Sequence, residues 1–546
     1  MTIQTIHYQV PSLSAELIGE LDDDLTLFRG IPYATVTKRW THSEVLNTLE
    51  SPFDATTFGP RCIQIESPSV AVGGNLHGNP YDHEFGCLNL NITVPTKTLE
   101  SPSNNLFPLL PVMVWIHGGA FLHGSNSRPR DRPERLCRLA LSNGTPIILV
   151  SIQYRVGALG FAASLDLATE SHRNQHPSHL PSSGNYGLID QRSALLWIQS
   201  HIQGFGGDPN NVTTFGISAG SASIHYHILS GDPLFDRAIM MSGSAPVLGP
   251  LPATMFGQAW KEMCTSLNIS HFGLEAKLEK LRSLDAMEIL KHYTRAPMGP
   301  MACGIYLPLN WDVFAKQPET RCKSIILGDT KCDGIIVDYI STHVPQPRFL
   351  HDLSGVFHSP ADIDTFLVYF GIRKEEMSYE KYREALRFFF SVMLFQYPNL
   401  CIARGFGGKA YLYHFDQPST LEGETEGLSY HGMCATYMFQ NENDGLPEEH
   451  VKTAEEMGKI WTAFASGKSK PWEEFGKKER FMRFGPGASA VTEVKGDGER
   501  DYIYLEWLES HREETRSLFT FASENVECKL LKQDCSSALS SESARM

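Results

Sequence analysis

The chain contains no run of 18 or more apolar residues, so the sequence predicts no helix that spans a membrane. Residues 106–122 come nearest, but prolines and a His-Gly-Gly turn interrupt them. The first twenty residues lack a basic segment followed by an apolar one, and we therefore expect no secretory signal peptide. The chain also has fewer basic than acidic residues, 47 against 62. The net charge of −15 argues against nucleic acid or an anionic membrane surface as a partner.

Cysteine shows no spacing typical of metal sites. The eleven cysteines are an odd number, lie scattered along the chain and form no pairs with the spacing of zinc ligands. This pattern predicts no metal site and mostly free thiols in a reducing compartment, so we expect a cytoplasmic protein. The C-terminal residues Ala544, Arg545 and Met546 resemble a degenerate peroxisomal address, which makes peroxisomal localisation the alternative.

The composition is that of a soluble globular protein, with 42% apolar and 20% charged residues. Length alone allows two or three domains. The candidate functional residues extend from Gly119 to His431 and the chain shows no internal repeat, which favours one domain with insertions over a tandem arrangement. We predict a single domain over residues 1–520, followed by a polar tail over residues 521–546.

Strand-like and helix-like segments alternate along the chain. Apolar and β-branched runs predict strands at 88–94, 112–116, 147–153, 212–215, 238–241, 324–327 and 410–415. Apolar residues at helical spacing predict helices over 187–198, most of 250–310, 360–400 and 449–465. Residues 166–184 are polar and predict a surface loop. The alternation predicts an α/β fold with a large, mostly parallel central sheet and helices on both faces, and residues 250–310 are expected to form a helical cap.

Residues 212–223, VTTFGISAGSAS, carry the most specific motif of the chain. A strand-like VTTF segment leads into Gly216-Ile217-Ser218-Ala219-Gly220, and small residues that can begin a helix follow. The turn in such a G-x-S-x-G motif is so tight that larger side chains two positions on either side of the serine would clash. We predict that Ser218 is a nucleophile at the end of the sheet. The alternative is a chance glycine-serine turn.

A glycine-rich turn, His117-Gly118-Gly119-Ala120-Phe121, follows the predicted strand 112–116. Glycine at this place lets backbone N–H groups approach a ligand closely. The motif matches loops whose N–H groups, together with that of the residue after the nucleophile, hold a negatively charged oxygen in the transition state. The alternative is a turn that serves only packing.

A serine nucleophile needs a histidine base, and the histidine needs an acid that orients it. With this motif the chain order is serine, acid, histidine. The acid candidates that follow the strand 324–327 are Asp329, Asp333 and Asp338; we prefer Asp333, in mid-loop before Gly334. The histidines that qualify by order are His343, His351, His358, His414, His431, His450 and His511. We prefer His431, which follows the last clear strand, whereas His414 lies inside that strand.

Arg155 and Asp190 stand beside predicted core elements, the strand 147–153 and the helix 187–198. We expect a buried ion pair between them. Its role would be structural, because breaking such a pair is costly while its net contribution is small.

Together these motifs resemble those of type-B carboxylesterases and lipases, the cholinesterase-related branch of the α/β-hydrolase fold. The resemblance covers roughly residues 20–490 and includes FRGIPYA, the Cys62 and Cys87 pair, HGGAF, YRVGALGF, GNYGLIDQ, FGGDPNNVTTFGISAGSAS, IMMSGSA, GDTKCDG and YHG. It implies the α/β-hydrolase fold and a catalytic triad of Ser218, Asp333 and His431. The implied oxyanion donors are Gly119, Ala120 and Ala219. The family's structural ion pair corresponds to Arg155 and Asp190.

The chain departs from the family at several positions. The triad acid of the family is usually Glu, and the shorter Asp333 requires a closer His431 loop. Cholinesterases carry an acidic residue where Ile217 stands, and a tryptophan in the loop that Cys62 and Cys87 bracket, which contains none here. These departures argue against choline esters, and the short polar loop argues against a triglyceride surface. The two cysteines form a disulfide in secreted relatives; we expect free thiols here, although their pairing stays open.

The resemblance implies a serine carboxylic-ester hydrolase that acts on small uncharged or apolar esters through an acyl-enzyme, without a metal or organic cofactor. A transacylase, a lactonase or another tailoring enzyme of secondary metabolism would use the same residues. A non-catalytic esterase-like binding protein is the remaining alternative, which the intact serine, acid and histidine set disfavours. The sequence leaves open the natural ester, its acyl-chain length, the acyl acceptor and the oligomeric state.

Overall fold

The computed structural model describes residues 3–523, apart from 66–80, 101–107, 175–179, 248, 295–296, 298, 305–311, 496–499 and 501. Its strands are β1 (Gln4–Val10), β2 (Ala15–Asp22), β3 (Leu25–Pro32), β4 (Ala34–Thr35), β5 (Glu44–Val45), β6 (Phe53–Asp54), β7 (Asn89–Pro95), β8 (Leu110–Ile116), β9 (Ile148–Ile152), β10 (Gly207–Ile217), β11 (Arg237–Met241), β12 (Ser324–Thr330), β13 (Lys409–Phe415), β14 (Arg480–Phe484) and β15 (Ala490–Glu493).

Helices connect most of the later strands. They are α1 (Thr96–Leu99), α2 (Glu134–Ser142), α3 (Gly157–Phe161), α4 (Leu165–Arg173), α5 (Tyr186–His201), α6 (Ala219–Ser230), α7 (Ala253–Ser266), α8 (Leu274–Ser283), α9 (Ala286–His292), α10 (Asp338–His343), α11 (Gln346–Ser354), α12 (Pro360–Tyr369), α13 (Tyr379–Ser391), α14 (Tyr397–Gly405), α15 (Met433–Phe439), α16 (Glu448–Ala465) and α17 (Leu505–Ser510). A π-helical turn, Val392–Gln396, joins α13 to α14.

Most of the described strands form one large sheet. Their order across it is β1-β2-β3-β7-β9-β8-β10-β11-β12-β13-β14-β15, and β6 pairs with β2. The strands from β9 to β14 in this order run parallel, whereas the β1 edge and β15 pair antiparallel. The mostly parallel sheet expected from the sequence is therefore confirmed, and the parallel strands end at one common edge.

Both faces of the sheet are buried under helices. In β8, Val112, Val114 and Ile116 belong to one hydrophobic core, while Met113 and Trp115 belong to a second core on the opposite face. Side chains of α5 and α6 complete the first core, and side chains of α2 and α16 complete the second. Burial on both faces explains why the central strands are nearly continuous apolar runs.

The prediction of a surface loop over residues 166–184 is wrong for its first part, which forms α4. Ser164 caps this helix, because its hydroxyl accepts a hydrogen bond at 3.2 Å from the N–H of Leu167. Asp166 in the first turn and Arg173 in the last turn suit the helix dipole. Leu167 is the buried side chain of the helix. A single buried apolar residue, Leu167, in an otherwise polar segment is too weak a pattern to predict a helix.

The helical expectation for residues 250–310 is confirmed over α7, α8 and α9. Their apolar side chains form a separate core with Trp40 and Leu167, and the Trp40 ring meets the Trp260 ring of α7 edge-to-face at 5.0 Å. Part of the segment, including 305–311, lies outside the described residues. Its role as a cap stays a prediction.

One helix of the described residues, Tyr379–Gly405, is long and apolar enough to cross a membrane by length and composition alone. Its most apolar window is 94% buried inside the protein, as befits a core helix. Residues 512–523 are also helical and bury Leu518 and Ala522. The remainder of the predicted tail, with the predicted peroxisomal address at Ala544, Arg545 and Met546, lies outside the described residues.

Candidate active site

Ser218 occupies a sharp turn between β10 and α6. Its backbone angles, φ 57° and ψ −122°, are costly for a residue with a side chain. Gly216 and Gly220 make the turn possible, because a Cβ on either would lie 2.7 and 2.0 Å, respectively, from the carbonyl oxygen of Ile116. Ser218 is half-buried, whereas Ile217 and Ala219 on either side of it are buried. The turn therefore displays the serine hydroxyl at the edge where the parallel strands end.

The loop after β8 lies directly against this turn. A Cβ on Gly118 would be 2.6 Å from the carbonyl oxygen of Ile217 and 3.1 Å from Cβ of Ser218, so only glycine allows this approach. Gly119 has φ +123°, and Ala120 and Phe121 also have positive φ, at 54° and 60°. This unusual backbone turns the loop away from the strand direction next to the serine.

The N–H groups of Gly119, Ala120 and Ala219 are the oxyanion donors expected from the sequence. Ala219 begins α6, so its N–H is one of the first-turn donors that a helix leaves without an internal acceptor. In the part of the chain that the structure describes, none of the three N–H groups donates to a backbone acceptor in a turn, loop or cap. They therefore stay candidate donors to an oxygen that develops negative charge.

Buried polar side chains fix the loop after β8. The His117 ring stacks on Tyr154 at 4.3 Å, and the Tyr154 hydroxyl donates to the His117 carbonyl oxygen at 2.9 Å. Gln64 bonds both backbone groups of Gly124, accepting from its N–H at 2.7 Å and donating to its carbonyl at 3.1 Å. Burial lowers the pKa of His117 to about 3, so this histidine is a neutral support at physiological pH.

The candidate acid and base meet on neighbouring loops. His431 Nδ1 lies 2.7 Å from Asp333 Oδ1, and both side chains are buried. Thr330 holds the same carboxylate twice, because its N–H donates to Oδ2 and its hydroxyl donates to Oδ1, each at 2.8 Å. Ser218, Asp333 and His431 follow β10, β12 and β13, so all three are at the same edge of the sheet.

The other candidate acids serve different partners. Asp329 bonds His414 at 2.8 Å and Arg500 at 2.5 Å within the core. Although burial opposes ionisation, these two neighbours hold the pKa of Asp329 below its ordinary value. Asp338 pairs with the guanidinium of Arg387. Of the three acids proposed from the sequence, Asp333 is the one that the structure joins to His431.

The other candidate histidines also lie in different surroundings. His414 lies inside β13, as expected, and His450 is buried between Gln417 at 2.8 Å and Tyr437 at 2.6 Å. Those on the surface or half-exposed are His343, His351, His358 and His511.

Backbone contacts join the acid and base loops to each other. The N–H of Cys332 donates to the carbonyl oxygen of Ser429 at 2.9 Å, and Cys332 forms a parallel bridge with Tyr430. The residues that follow this bridge are Asp333 and His431. The Phe395 ring, on the π-helical turn, contacts the His431 ring with centroids 5.3 Å apart and planes tilted by 54°. The pair is thus held by backbone contacts and by an aromatic contact.

The residues nominated for structural roles have clear partners. Arg155 and Asp190 form a buried, two-pronged ion pair, from Nε to Oδ2 at 2.7 Å and from Nη2 to Oδ1 at 2.8 Å. Cys62 and Cys87 are both buried free thiols in the structure. A hydrogen bond between the two side chains and burial raise the pKa of Cys87 well above its ordinary value. The thiols are thus neighbours that carry no disulfide here.

Sequence reasoning missed the residues that support the site. Thr330 stands at the end of β12, only three positions before Asp333, so its nearness in the chain was a usable signal. Gln64 and Phe395 come from distant segments and carried no signal of their own. Within the described residues, the His, Cys, Asp and Glu side chains form no cluster of three or more that could hold a metal ion.

Comparisons with known proteins agree with this architecture. The solved structure of a PNB esterase superimposes with a TM-score of 0.69 at 22% identity, covering 92% of this chain and 99% of that one. Lipase 4 of Diutina rugosa is 31% identical over 347 residues, and the match covers 57% of this chain and 59% of the lipase. Cholinesterase of Mus musculus is 28% identical over 510 residues, which are 86% of this chain and 77% of the cholinesterase.

A family profile extends over most of the chain. The profile of the Carboxylesterase family matches residues 16–497, which include the Ser218 turn, the loop after β8 and the Asp333–His431 pair. The similarity to the PNB esterase structure is similarity of fold, and the fold is the α/β-hydrolase fold expected from the sequence. The chain belongs to the Carboxylesterase family of carboxylic ester hydrolases.

Proposed function

We propose that the protein is a serine carboxylic-ester hydrolase that acts on small uncharged or apolar esters through an acyl-enzyme. The observation that carries this proposal is the 2.7 Å contact between His431 Nδ1 and Asp333 Oδ1 at the sheet edge where Ser218 leaves β10. A carboxylate at Nδ1 favours the ring form with a proton on Nδ1. That form leaves Nε2 free to accept a proton.

In the first half of the reaction, Ser218 Oγ attacks the ester carbonyl carbon and passes its proton to His431 Nε2. The tetrahedral intermediate then collapses, the bond between the carbonyl carbon and the alcohol oxygen breaks, and His431 returns the proton to the leaving alcohol. Asp333 stabilises the imidazolium that exists between these two transfers. The product of this half is an acyl group on Ser218.

Water completes the reaction by the same path. It gives a proton to His431 as its oxygen attacks the acyl carbon, and the proton then returns to Ser218 Oγ as the acid leaves. In both halves a negative charge develops on the former carbonyl oxygen. The N–H groups of Gly119, Ala120 and Ala219 would hold that charge, and each such donor is worth about 3 kcal/mol in the transition state.

The proposed preference for uncharged esters is supported by the residue before the nucleophile. Ile217 is an apolar, buried side chain that packs with Met113 and Trp115. It offers no negative charge to a cationic alcohol such as choline. The relatives named above as a cholinesterase and a lipase carry their own specificity, which does not transfer to this chain.

Hydrolysis of p-nitrophenyl esters, from acetate to decanoate, by wild type and by Ser218→Ala tests the proposal. Wild type should give a burst and steady turnover, and the variant should lose turnover by a factor on the order of 10⁴ to 10⁶. The chain-length profile would measure the acyl pocket. A burst without turnover would indicate an acyl acceptor other than water. Equal absence of reaction in both folded proteins would refute the esterase assignment.

A further inference from the structure

Arg128 is a buried cation that lacks a carboxylate of its own. Its side chain is 4% exposed, and Nη1 lies 4.0 Å from Asp131 Oδ2. Within the described part of the chain, Nε and Nη2 of Arg128 have no hydrogen-bond partner. Asp131 also lies 3.4 Å from Nε of Arg130, so two guanidinium groups share one carboxylate. The Nε–Nη2 edge of Arg128 is therefore a buried donor pair without an acceptor.

Asp131 offsets the charge of Arg128 only in part, because Arg130 shares the same carboxylate. Burial lowers the pKa of Arg128 to about 10, which still leaves the group charged at neutral pH. Burial, aided by the charge of Arg128, lowers the pKa values of His117 and His123 to about 3, so both histidines are neutral. A charge taken out of water without hydrogen-bonded compensation is costly. The site therefore favours a ligand with one negative charge.

Other arginines of this protein indicate what fits that edge. Several of them present Nε and Nη2 to both oxygens of one carboxylate, among them Arg39 to Glu84 at 2.5 and 2.7 Å, Arg155 to Asp190 at 2.7 and 2.8 Å, and Arg321 to Asp236 at 2.9 and 3.0 Å. Two parallel N–H groups match a planar carboxylate in spacing and direction. A carboxylate is thus the group that the free edge of Arg128 is shaped to receive.

Arg128 lies next to the loop that faces Ser218. The charge of Arg128 acts on His117 and His123, and His117 Nδ1 contacts the Gly118 carbonyl at 2.9 Å. A Cβ on Gly119 would lie 2.7 Å from His123 Nδ1, so the His123 ring lies directly against Gly119, one of the proposed oxyanion donors. Arg128 therefore lies within electrostatic range of two histidines of the loop that faces Ser218.

We propose that the Nε–Nη2 edge of Arg128 binds the carboxylate group of a small organic acid beside the loop formed by residues 117–124. This site goes beyond the proposed ester hydrolysis, because it binds an anionic group that is not the reacting ester. The carboxylate has two possible sources. It belongs either to a separate small acid, which agrees with the uncharged ester proposed above, or to a remote position of an anionic ester, which would replace that preference, and the two sources give different kinetics.

Calorimetric titration of acetate and benzoate into the Ser218→Ala protein, at constant ionic strength, measures the site without hydrolysis. Arg128→Met in that background should weaken carboxylate binding by about tenfold or more, because the paired donors are lost. Arg135→Met is the matched control, since Arg135 is more exposed and already pairs with Asp444. It should bind like the parent. Equal affinity in all three proteins, or equal binding of chloride, would overturn the proposal.

Kinetics with two esters then assign the source of the carboxylate. If the substrate carries it, acetate should compete with monomethyl glutarate, and Arg128→Met should raise KM about tenfold or more for that ester but not for methyl butanoate. If a separate acid binds, acetate should not compete with either ester. Each result assigns the source of a carboxylate whose binding calorimetry has established, and both differ from a failure of hydrolysis in the wild type.

The stability of the variant separates a ligand site from a structural arginine. Arg128→Met leaves Asp131 with Arg130, 3.4 Å away, as its remaining partner, so without carboxylate the thermal midpoint should stay near that of the parent. A large drop in that midpoint would overturn the proposal. Arg128→Lys keeps the charge but loses the paired edge, and it should bind acetate several-fold more weakly. Full affinity in Arg128→Lys would also overturn it.

Discussion

Thr330 holds both oxygens of the Asp333 carboxylate, with its N–H on Oδ2 and its hydroxyl on Oδ1, each at 2.8 Å. The oxygen that accepts the hydroxyl is also the one that contacts His431 Nδ1. Two bonds from one residue fix the plane of the carboxylate and therefore the direction of the bond to the imidazole. The shorter acid of this chain is thus anchored by the last residue of the strand that precedes it.

We expect Thr330→Val to lower kcat about tenfold to a hundredfold. Valine has nearly the shape of threonine but lacks the hydroxyl, so one hydrogen bond to a charged group is lost. The remaining bond from N–H would let the carboxylate rotate away from His431. KM should change little, because Thr330 is not expected to touch substrate. Steady-state kinetics with p-nitrophenyl acetate measures both constants.

Thr330→Ser is the control, because serine keeps the hydroxyl. Its kcat should stay within about threefold of wild type. If Thr330→Val were as active as wild type, the hydroxyl would have no part in orienting the acid. If both variants lost activity equally, the methyl group and packing would matter instead of the hydrogen bond.

Asp333→Glu should also lower kcat, although it restores the acid usual in the family. The acid and base loops are joined by the Cys332–Ser429 bond and the Cys332–Tyr430 bridge, which leave little room to accommodate an extra methylene. The longer side chain would also lose the Thr330 bonds. We expect a loss of about tenfold or more, against about 10⁴-fold for Asp333→Asn, which cannot stabilise the imidazolium. Wild-type activity in Asp333→Glu would contradict this account.

The central strands and the sharp turn at Ser218 could be predicted because their patterns are local. A buried strand such as β8 is an apolar run, and the Ser218 turn needs glycine at two fixed positions. The helix α4 could not be predicted in this way, since it buries only Leu167 and its cap depends on one hydroxyl, that of Ser164. Its stability comes from tertiary contact with α7–α9 and not from its own periodicity.

The residues that support the candidate site could not be predicted from the sequence for a different reason. Phe395 meets His431 from a π-helical turn, and that turn breaks the helical spacing on which sequence patterns depend. The pairing of Asp329 with His414 and Arg500 needed the register of β12 against β13. Contacts between residues far apart in the chain follow from packing, which a single sequence does not encode as a local pattern.

Arg155→Met should destabilise the protein by about 3–5 kcal/mol, because it leaves the buried Asp190 without its two-pronged partner. The change in the free energy of unfolding would be measured by urea titration at pH 7. Replacing both partners, as Arg155→Met with Asp190→Leu, should recover most of the loss, since no unpaired charge then remains.

An exposed ion pair provides the comparison for Arg155. Arg173 and Glu275 form a pair whose side chains are 60% and 81% exposed. Arg173→Met should change the unfolding midpoint little, because water replaces the lost partner. Similar effects of Arg155→Met and Arg173→Met would mean that burial does not govern the contribution of the ion pairs in this fold.

His225, on the helix that follows Ser218, should make the free energy of unfolding depend on pH. It is buried on α6, accepts a hydrogen bond from the N–H of Ala245 on Nδ1 at 3.1 Å, and contacts Gln317 through Nε2 at 3.0 Å. Nδ1 therefore carries no proton in the folded protein. Burial lowers the pKa of His225 from 6.5 to about 4.

Because the folded protein keeps His225 neutral, the unfolded chain binds more protons between pH 6.5 and 4. The stability linked to this residue is complete above pH 6.5 and is lost as the pH falls toward 4, by about 2 kcal/mol between pH 7 and pH 5. His225→Asn keeps an acceptor for Ala245 and should remove that loss in urea titrations at the two pH values. His351→Gln, at an exposed position, should keep the wild-type pH dependence. The same pH dependence in His225→Asn as in wild type would mean that folded His225 binds a proton as readily as the unfolded chain does.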